Sequence, residues 1–249
     1  MANNIYLLND HKTGFNITNT IVGIINKTAK QQIKTRTFYL FWNNYQKNNK
    51  YIILVRNPKE IICSGYLYHK KKCKESWSLI KNGYYYGYWE NHFPKQSLVE
   101  NKKYLDFAKS FSNPIPYQKK LQDLSLNEGM ITEMNNVGYL TITGMYNLIH
   151  YGKKNVYLLK YEDLVFNHDE TITKLCEFIG LSQAEIKNIL KLSIKHNLIY
   201  QKNNNKITNH TTNKDVNPNR YLKYWNDKID TEFNKLFPDD IMEKFGYSP

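Results

Sequence analysis

Three places in this chain carry residue types that take hold of phosphate-like oxygens. Lys12 sits in the turn His11-Lys12-Thr13-Gly14 that closes the apolar run of LLNDHKTG. Arg56 and Ser64 stand eight residues apart in VRNPKEIICSGYLYH, and Lys214 and Arg220 fall in the late polar stretch QKNNNKITNHTTNKDVNPNR. A lysine beside a glycine turn supplies a point charge next to backbone N–H donors, and an arginine supplies a planar fork that a serine hydroxyl can complete. Together these pieces fit a ligand with two separate phosphate groups, one cradled by the turn and Lys12, the other held by Arg56 and Ser64.

The elements that must position these residues follow from hydrophobic periodicity. Apolar runs rich in β-branched and aromatic residues at Ile5–Leu8, Thr37–Phe41, Tyr51–Val55 and Val156–Leu159 alternate with helical patterns, which predicts an α/β fold with a largely parallel sheet. Ile17, Ile21, Val22, Ile24 and Ile25 recur at helical spacing, so the Lys12 turn joins a strand to a helix. Ligands gather at such carboxyl ends of strands in open α/β sheets. Asn57 is a predicted N-cap, Pro58 a first helical residue and Glu60 a capping-box acid, which leaves Arg56 at the strand end and Ser64 two turns into the helix.

Further along, a helix is predicted over Val137–Tyr151, stopped by Gly152. A strand in NVYLLKYEDL comes next, then a helix carrying Ile172, Leu175 and Ile179 that ends at Gly180. Ser182 and Glu185 form a capping box that opens another helix, with Ile186, Ile189 and Leu190 inward. Residues 73–136, with NGYYYGYWENHFP and FSNPIPYQ, are irregular and predict a substrate-side insertion of loops and short helices over the sheet. Residues 1–249 are read as a single domain. The tyrosine cluster Tyr84, Tyr85, Tyr86, Tyr88 and Trp89 is a candidate aromatic acceptor pocket or a packing cluster.

Composition sets limits on partners. The chain holds 35 Lys+Arg against 22 Asp+Glu, a net charge of +13, which favours anionic partners. Cys63, Cys73 and Cys176 form no CxxC pair and no Cys/His cluster at metal spacing, so a reduced cytoplasmic protein without a metal site is expected. No run approaches the length of a membrane span and no signal peptide is evident. A basic nucleic-acid-binding protein is the alternative that charge allows, but no helix-turn-helix, zinc-finger, RNP or KH pattern is present and no nucleic-acid partner is expected. A kinase-like P-loop would want GxxxxGK[ST], and His11-Lys12-Thr13-Gly14 lacks the upstream glycine.

The string VRNPKEIICSGYLYH is similar to the 3′-phosphate-binding strand, loop and helix of the sulfotransferases that use 3′-phosphoadenosine 5′-phosphosulfate (PAPS), including the Arg-to-Ser spacing. HKTG resembles that family's 5′-phosphosulfate loop, usually PKSGTTW. LLKYEDL resembles its late core strand and NPNRYLKYW its C-terminal nucleotide loop, all in family order. The resemblance implies a three-layer α/β sandwich with a central mostly parallel sheet of the P-loop nucleotide-binding-like kind. It also implies transfer of a sulfuryl group from PAPS to a hydroxyl or amine, with 3′-phosphoadenosine 5′-phosphate (PAP) as product and no metal, and the short tyrosine-rich insertion suggests a small or aromatic acceptor. An inactive PAPS- or PAP-binding homologue is the alternative.

Residue by residue, the resemblance makes Lys12 the group that stabilises charge on the departing phosphate. Thr13, Gly14, Phe15 and Asn16 take the positions of the nucleotide loop, with Phe15 and Asn16 where the family commonly has two threonines. Arg56 and Ser64 take the 3′-phosphate, Tyr161 lies near the adenine and Arg220 closes over the 3′-phosphate side. IKTRTF resembles the family's IKTH, with Arg36 where the catalytic histidine stands, and an arginine stays protonated and cannot act as a base. His69 and Glu133 are therefore the candidate bases, with His92 and His150 behind them.

Overall fold

The computed structural model describes residues 4–10, 12–37, 46–72, 80–81, 84–85, 117–149, 155–203, 217 and 219–248. In chain order the elements are β1 (Ile5–Asn9), α1 (Phe15–Thr28), β2 (Ile33–Thr37), β3 (Lys50–Val55), α2 (Pro58–Lys72), β4 (Ile80–Lys81) and β5 (Tyr84–Tyr85). They continue with α3 (Tyr117–Asp123), α4 (Leu126–Glu133), a π-helical segment (Met134–Gly138) and α5 (Tyr139–Ile149). After β6 (Val156–Lys160) come α6 (Tyr161–Phe166), α7 (His168–Ile179), α8 (Gln183–Ser193) and α9 (Leu198–Asn203). A 3-10 turn (Arg220–Lys223), α10 (Asp227–Leu236) and α11 (Ile241–Lys244) close the chain. His92, His150, Lys214, Cys73 and the aromatic residues from Tyr86 to Trp89 lie outside the described residues.

The chain divides into two compact units, residues 1–56 with 145–218 and residues 57–144 with 219–249. The first holds a four-stranded, all-parallel sheet in the order β2-β1-β3-β6. Because β2 lies on one side of β1 and β3 on the other, the strand order reverses between β1 and β3, whose carboxyl ends form the switch point where such sheets bind ligands. On one face Ile5, Leu7, Ile33, Ile52, Leu54 and Leu159 join a buried cluster with Ile21 and Ile25 of α1, Ile172 and Leu175 of α7, and Ile186 and Ile189 of α8. Leu8, Ile53 and Val55 on the other face are equally buried. Burial on both faces is what a parallel sheet requires, and it explains the unbroken apolar run Tyr51–Val55.

The predicted strand at Thr37–Phe41 lies, beyond Thr37, outside the described residues, and the second described strand is Ile33–Thr37. It is an edge strand, bonded to β1 alone in the described sheet, and Lys34 and Arg36 on its exposed positions hide it from a search for apolar runs. The predicted strand at NVYLLKYEDL ends at Lys160, and Tyr161 opens α6 with Glu162 and Asp163 in the first turn, where acidic groups favour a helix start. Two further predicted helix signals hold, while the predicted stop at Gly152 lies outside the described residues. Gly180 caps α7 at φ 92°, and Ser182 and Glu185 make a reciprocal capping box on α8.

In the second unit α2 is buried along almost its whole length. It meets the α4–π segment at three glycines. A methyl on Gly129 would lie 2.5 Å from the Tyr66 ring, one on Gly138 3.0 Å from Ile62, and one on Gly65 would overlap the Glu133 carboxylate. The described end of the 73–136 stretch holds the short helices α3 and α4, the second opened by a capping box of Ser125 and Glu128, and the helix runs through the π-helical segment into α5.

Candidate functional site

The Lys12 turn closes β1 into α1. Lys12 adopts a left-handed conformation at φ 61° and Gly14 stands at φ 115° as the N-cap of α1. Thr13 is fully buried: its hydroxyl donates to the Asp10 carbonyl at 2.7 Å and accepts the Asp10 N–H at 3.1 Å, while its own N–H reaches the same carbonyl at 3.3 Å. The Thr13 amide is thus part of the turn itself, and the N–H groups at the start of α1 are the ones with no turn partner to satisfy within a helix. Phe15 is exposed at the first position of α1 and Asn16 follows it, also exposed.

Arg56 leaves the end of β3 and locks onto this turn. One guanidinium nitrogen, Nη1, donates to the Lys12 carbonyl at 2.7 Å, and the guanidinium carbon stands 4.4 Å from the centre of the Tyr161 ring. Tyr161 in turn packs so closely on Gly14 that a methyl there would lie 2.5 Å from its Cδ2. Lys12, Gly14, Arg56 and Tyr161, taken from three parts of the sequence, form one interlocked group at the β1/β3 switch point. The sequence placed all four in the site. It missed why the glycine is needed, because the closeness of Tyr161 is a tertiary fact.

Arg36 is exposed on β2, in register with Leu8, and its Nη1 donates to the carbonyl of its neighbour Thr35 at 2.9 Å.

In the second unit Ser64 is buried two turns into α2. Asn57 caps the helix as predicted, its Oδ1 accepting the Lys59 N–H at 2.9 Å. Glu60 has a further role that the capping pattern does not reveal. Its Oε2 accepts from Nη2 of Arg220 at 3.0 Å and its Oε1 accepts the Tyr221 N–H at 2.8 Å, with both side chains of the ion pair buried.

His69 and Glu133, read separately as candidate bases, are hydrogen-bonded to each other. His69 Nδ1 stands 2.8 Å from Glu133 Oε2, and the two side chains are 0% and 1% exposed. Glu133 is the last residue of α4, directly before the π-helical segment, in which Asn136 departs from helical geometry at φ −113°, ψ −108°. Such π insertions often mark functional sites. Gly65 on α2 gives the carboxylate its room. Burial pushes the Cys176 thiol up to about 12. Among the described residues no cluster of His, Cys, Asp and Glu could hold a metal ion, and no helix is long and apolar enough to cross a membrane.

A parallel sheet whose switch point carries a glycine turn, a lysine and an arginine is an α/β fold of the P-loop-like kind. The family model for the sulfotransferase domain matches residues 14–249, and the chain belongs to that family. The match begins at Gly14, directly after Lys12 and Thr13. Among solved structures, mouse sulfotransferase SULT7A1 complexed with PAP is similar at 16% identity and a TM-score of 0.50, covering 99% of this chain and 89% of that one. That likeness supports the α/β fold. No curated protein matches the sequence.

Proposed function

We propose that this protein transfers a sulfuryl group from PAPS to a hydroxyl or amine of a small acceptor. The observation that carries the reading is the interlocked group at the switch point, where Arg56 braces the Lys12 carbonyl and Tyr161 closes on Gly14. The residues present fit the donor. In the first unit the Lys12 turn suits a 5′-phosphosulfate, the Tyr161 ring the adenine and the Arg56 fork a phosphate; in the second, Ser64 and Arg220 are the residues that the family resemblance assigns to the 3′-phosphate. Phe15 and Asn16 contribute the helix-start backbone rather than hydroxyl contacts.

In the reaction the acceptor oxygen or nitrogen bonds to sulfur, the bond from sulfur to the bridging phosphate oxygen breaks, and PAP leaves. Lys12 supplies positive charge to that oxygen as it becomes anionic, and the acceptor's proton passes to a base. We assign the base to His69 with Glu133. With Nδ1 donating to the carboxylate, Nε2 is the atom that accepts a proton, and Glu133 steadies the imidazolium that forms. The near-complete burial of both groups favours a second reading, a polar tie between α2 and α4 with no part in proton transfer. A bell-shaped or sigmoid pH profile of kcat that is lost in Glu133→Gln supports the first. A Glu133→Gln variant with a lower Tm and an unaltered pH profile supports the second.

The whole reading is tested by turnover of sulfur-labelled PAPS against a panel of phenolic, alcoholic and amine acceptors. Label should move to at least one acceptor with wild-type protein, and Lys12→Ala should slow that transfer by about 100-fold or more, the cost of one preorganised charge-stabilising group. Undiminished transfer by Lys12→Ala would overturn the assignment.

A further inference from the structure

Two neighbouring residues in the first turn of α2 grip the C-terminal segment. Lys59 reaches Asp230 at 2.9 Å, and the same carboxylate oxygen accepts from Trp225 Nε1 at 2.7 Å. Glu60, 1% exposed, uses both its oxygens on adjacent residues of the 3-10 turn, one for the Arg220 guanidinium and one for the Tyr221 N–H. Lys59 thereby anchors the segment after the turn, while Glu60 fixes both the backbone of the turn and the direction of its arginine. Arg220 is itself 5% exposed, and among the described residues its Nε has no hydrogen-bond partner. A buried guanidinium donor without a partner is costly, and an anionic oxygen is the acceptor that offsets that cost best.

We propose that Glu60 is a positioning residue for recognition of the 3′-phosphate. By holding Nη2 of Arg220 and the Tyr221 amide, it directs the remaining guanidinium donors, Nε among them, toward one phosphate monoester. The inference rests on the PAPS reading above and adds to it a carboxylate that acts through Arg220. A negative group beside a phosphate site would by itself weaken binding, so its benefit must come from orientation, and orientation is what its two hydrogen bonds provide.

The test compares affinity for PAP with affinity for adenosine 5′-phosphate, which lacks the 3′-phosphate, by titration calorimetry on the full chain. Wild-type protein should prefer PAP. Glu60→Gln keeps an oxygen for the Tyr221 N–H and loses the charge that holds Arg220. It should lower the PAP preference on the order of tenfold, the effect of one charge-assisted hydrogen bond, with adenosine 5′-phosphate affinity unchanged. Glu60→Asp, which keeps the charge but withdraws it by one methylene, should fall between and serves if the glutamine variant does not fold. In Arg220→Ala, adding Glu60→Gln should cost nothing more.

A preference retained in both Glu60 variants overturns the inference and leaves the PAPS reading standing. An equal loss for both nucleotides also overturns it, because it marks a structural role only. A wild-type protein without any preference for PAP removes the PAPS reading and this inference together.

Discussion

Replacing Gly14 by alanine tests the interlocked turn at its tightest point. Two costs add. An alanine at φ 115° pays about 1–3 kcal/mol for a backbone conformation that L side chains rarely adopt. Its methyl would stand 2.5 Å from Cδ2 and 3.1 Å from Cε2 of Tyr161, and the ring is held against the Arg56 guanidinium, so overpacking adds about 1–3 kcal/mol. The sum, about 2–6 kcal/mol, corresponds to a fall in Tm on the order of 10 °C for a chain of this length. Tyr161→Ala in the same background removes the clash but not the backbone cost. A double-mutant cycle by thermal and urea melting should therefore show Gly14→Ala costing about 1–3 kcal/mol less when Tyr161 is absent. Strict additivity, or a Gly14→Ala protein melting within about 1 °C of wild type, would refute the packing argument.

Gly65→Ala should push the Glu133 carboxylate off His69 and leave a buried charge without its partner, a loss of about 3–5 kcal/mol in urea melting; a loss below about 1 kcal/mol would contradict the geometry. The Lys59 ammonium, with the Trp225 and Asn234 N–H groups, holds the Asp230 carboxyl below its usual range. A carboxyl depressed in the folded state stabilises above its unfolded pKa of about 3.9 and loses that contribution as pH falls through the lower folded value. Wild type should accordingly melt above Asp230→Asn at neutral pH, with the gap closing only below about pH 4. A gap that is absent at pH 7, or that closes near pH 6, would refute the ion pair's role.

Several local signals in the sequence match the structure, while the Ser125–Glu128 capping box that opens α4 went unread. Ile17 to Ile25 mark α1, Asn57 and Pro58 start α2, Gly180 stops α7, and Ser182 with Glu185 opens α8, because caps and apolar periods act within a turn or two of chain. The order of the segments that resemble the family's motifs pointed to the family whose model matches residues 14–249. The edge strand Ile33–Thr37 escaped because solvent-facing Lys34 and Arg36 interrupt its apolar signal. The pairs that give the site its internal connections were out of reach for a different reason. Glu60 and Arg220 are 160 residues apart and His69 and Glu133 are 64 apart, and nothing in the local pattern of either partner names the other. Glu60 is instructive, since the same carboxylate that reads as a capping acid in sequence is in the fold the acceptor for a distant arginine and its neighbour's amide.

The central claim is that a nucleotide carrying a 3′-phosphate binds through the cations at this site. Titration calorimetry of PAP against wild-type protein and Arg56→Ala tests it most directly. PAP should bind saturably and well above adenosine 5′-phosphate, with affinity reduced by about 100-fold or more in Arg56→Ala, where both the proposed phosphate fork and the brace on the Lys12 carbonyl are lost. Equal affinity of wild type and Arg56→Ala for PAP would contradict it.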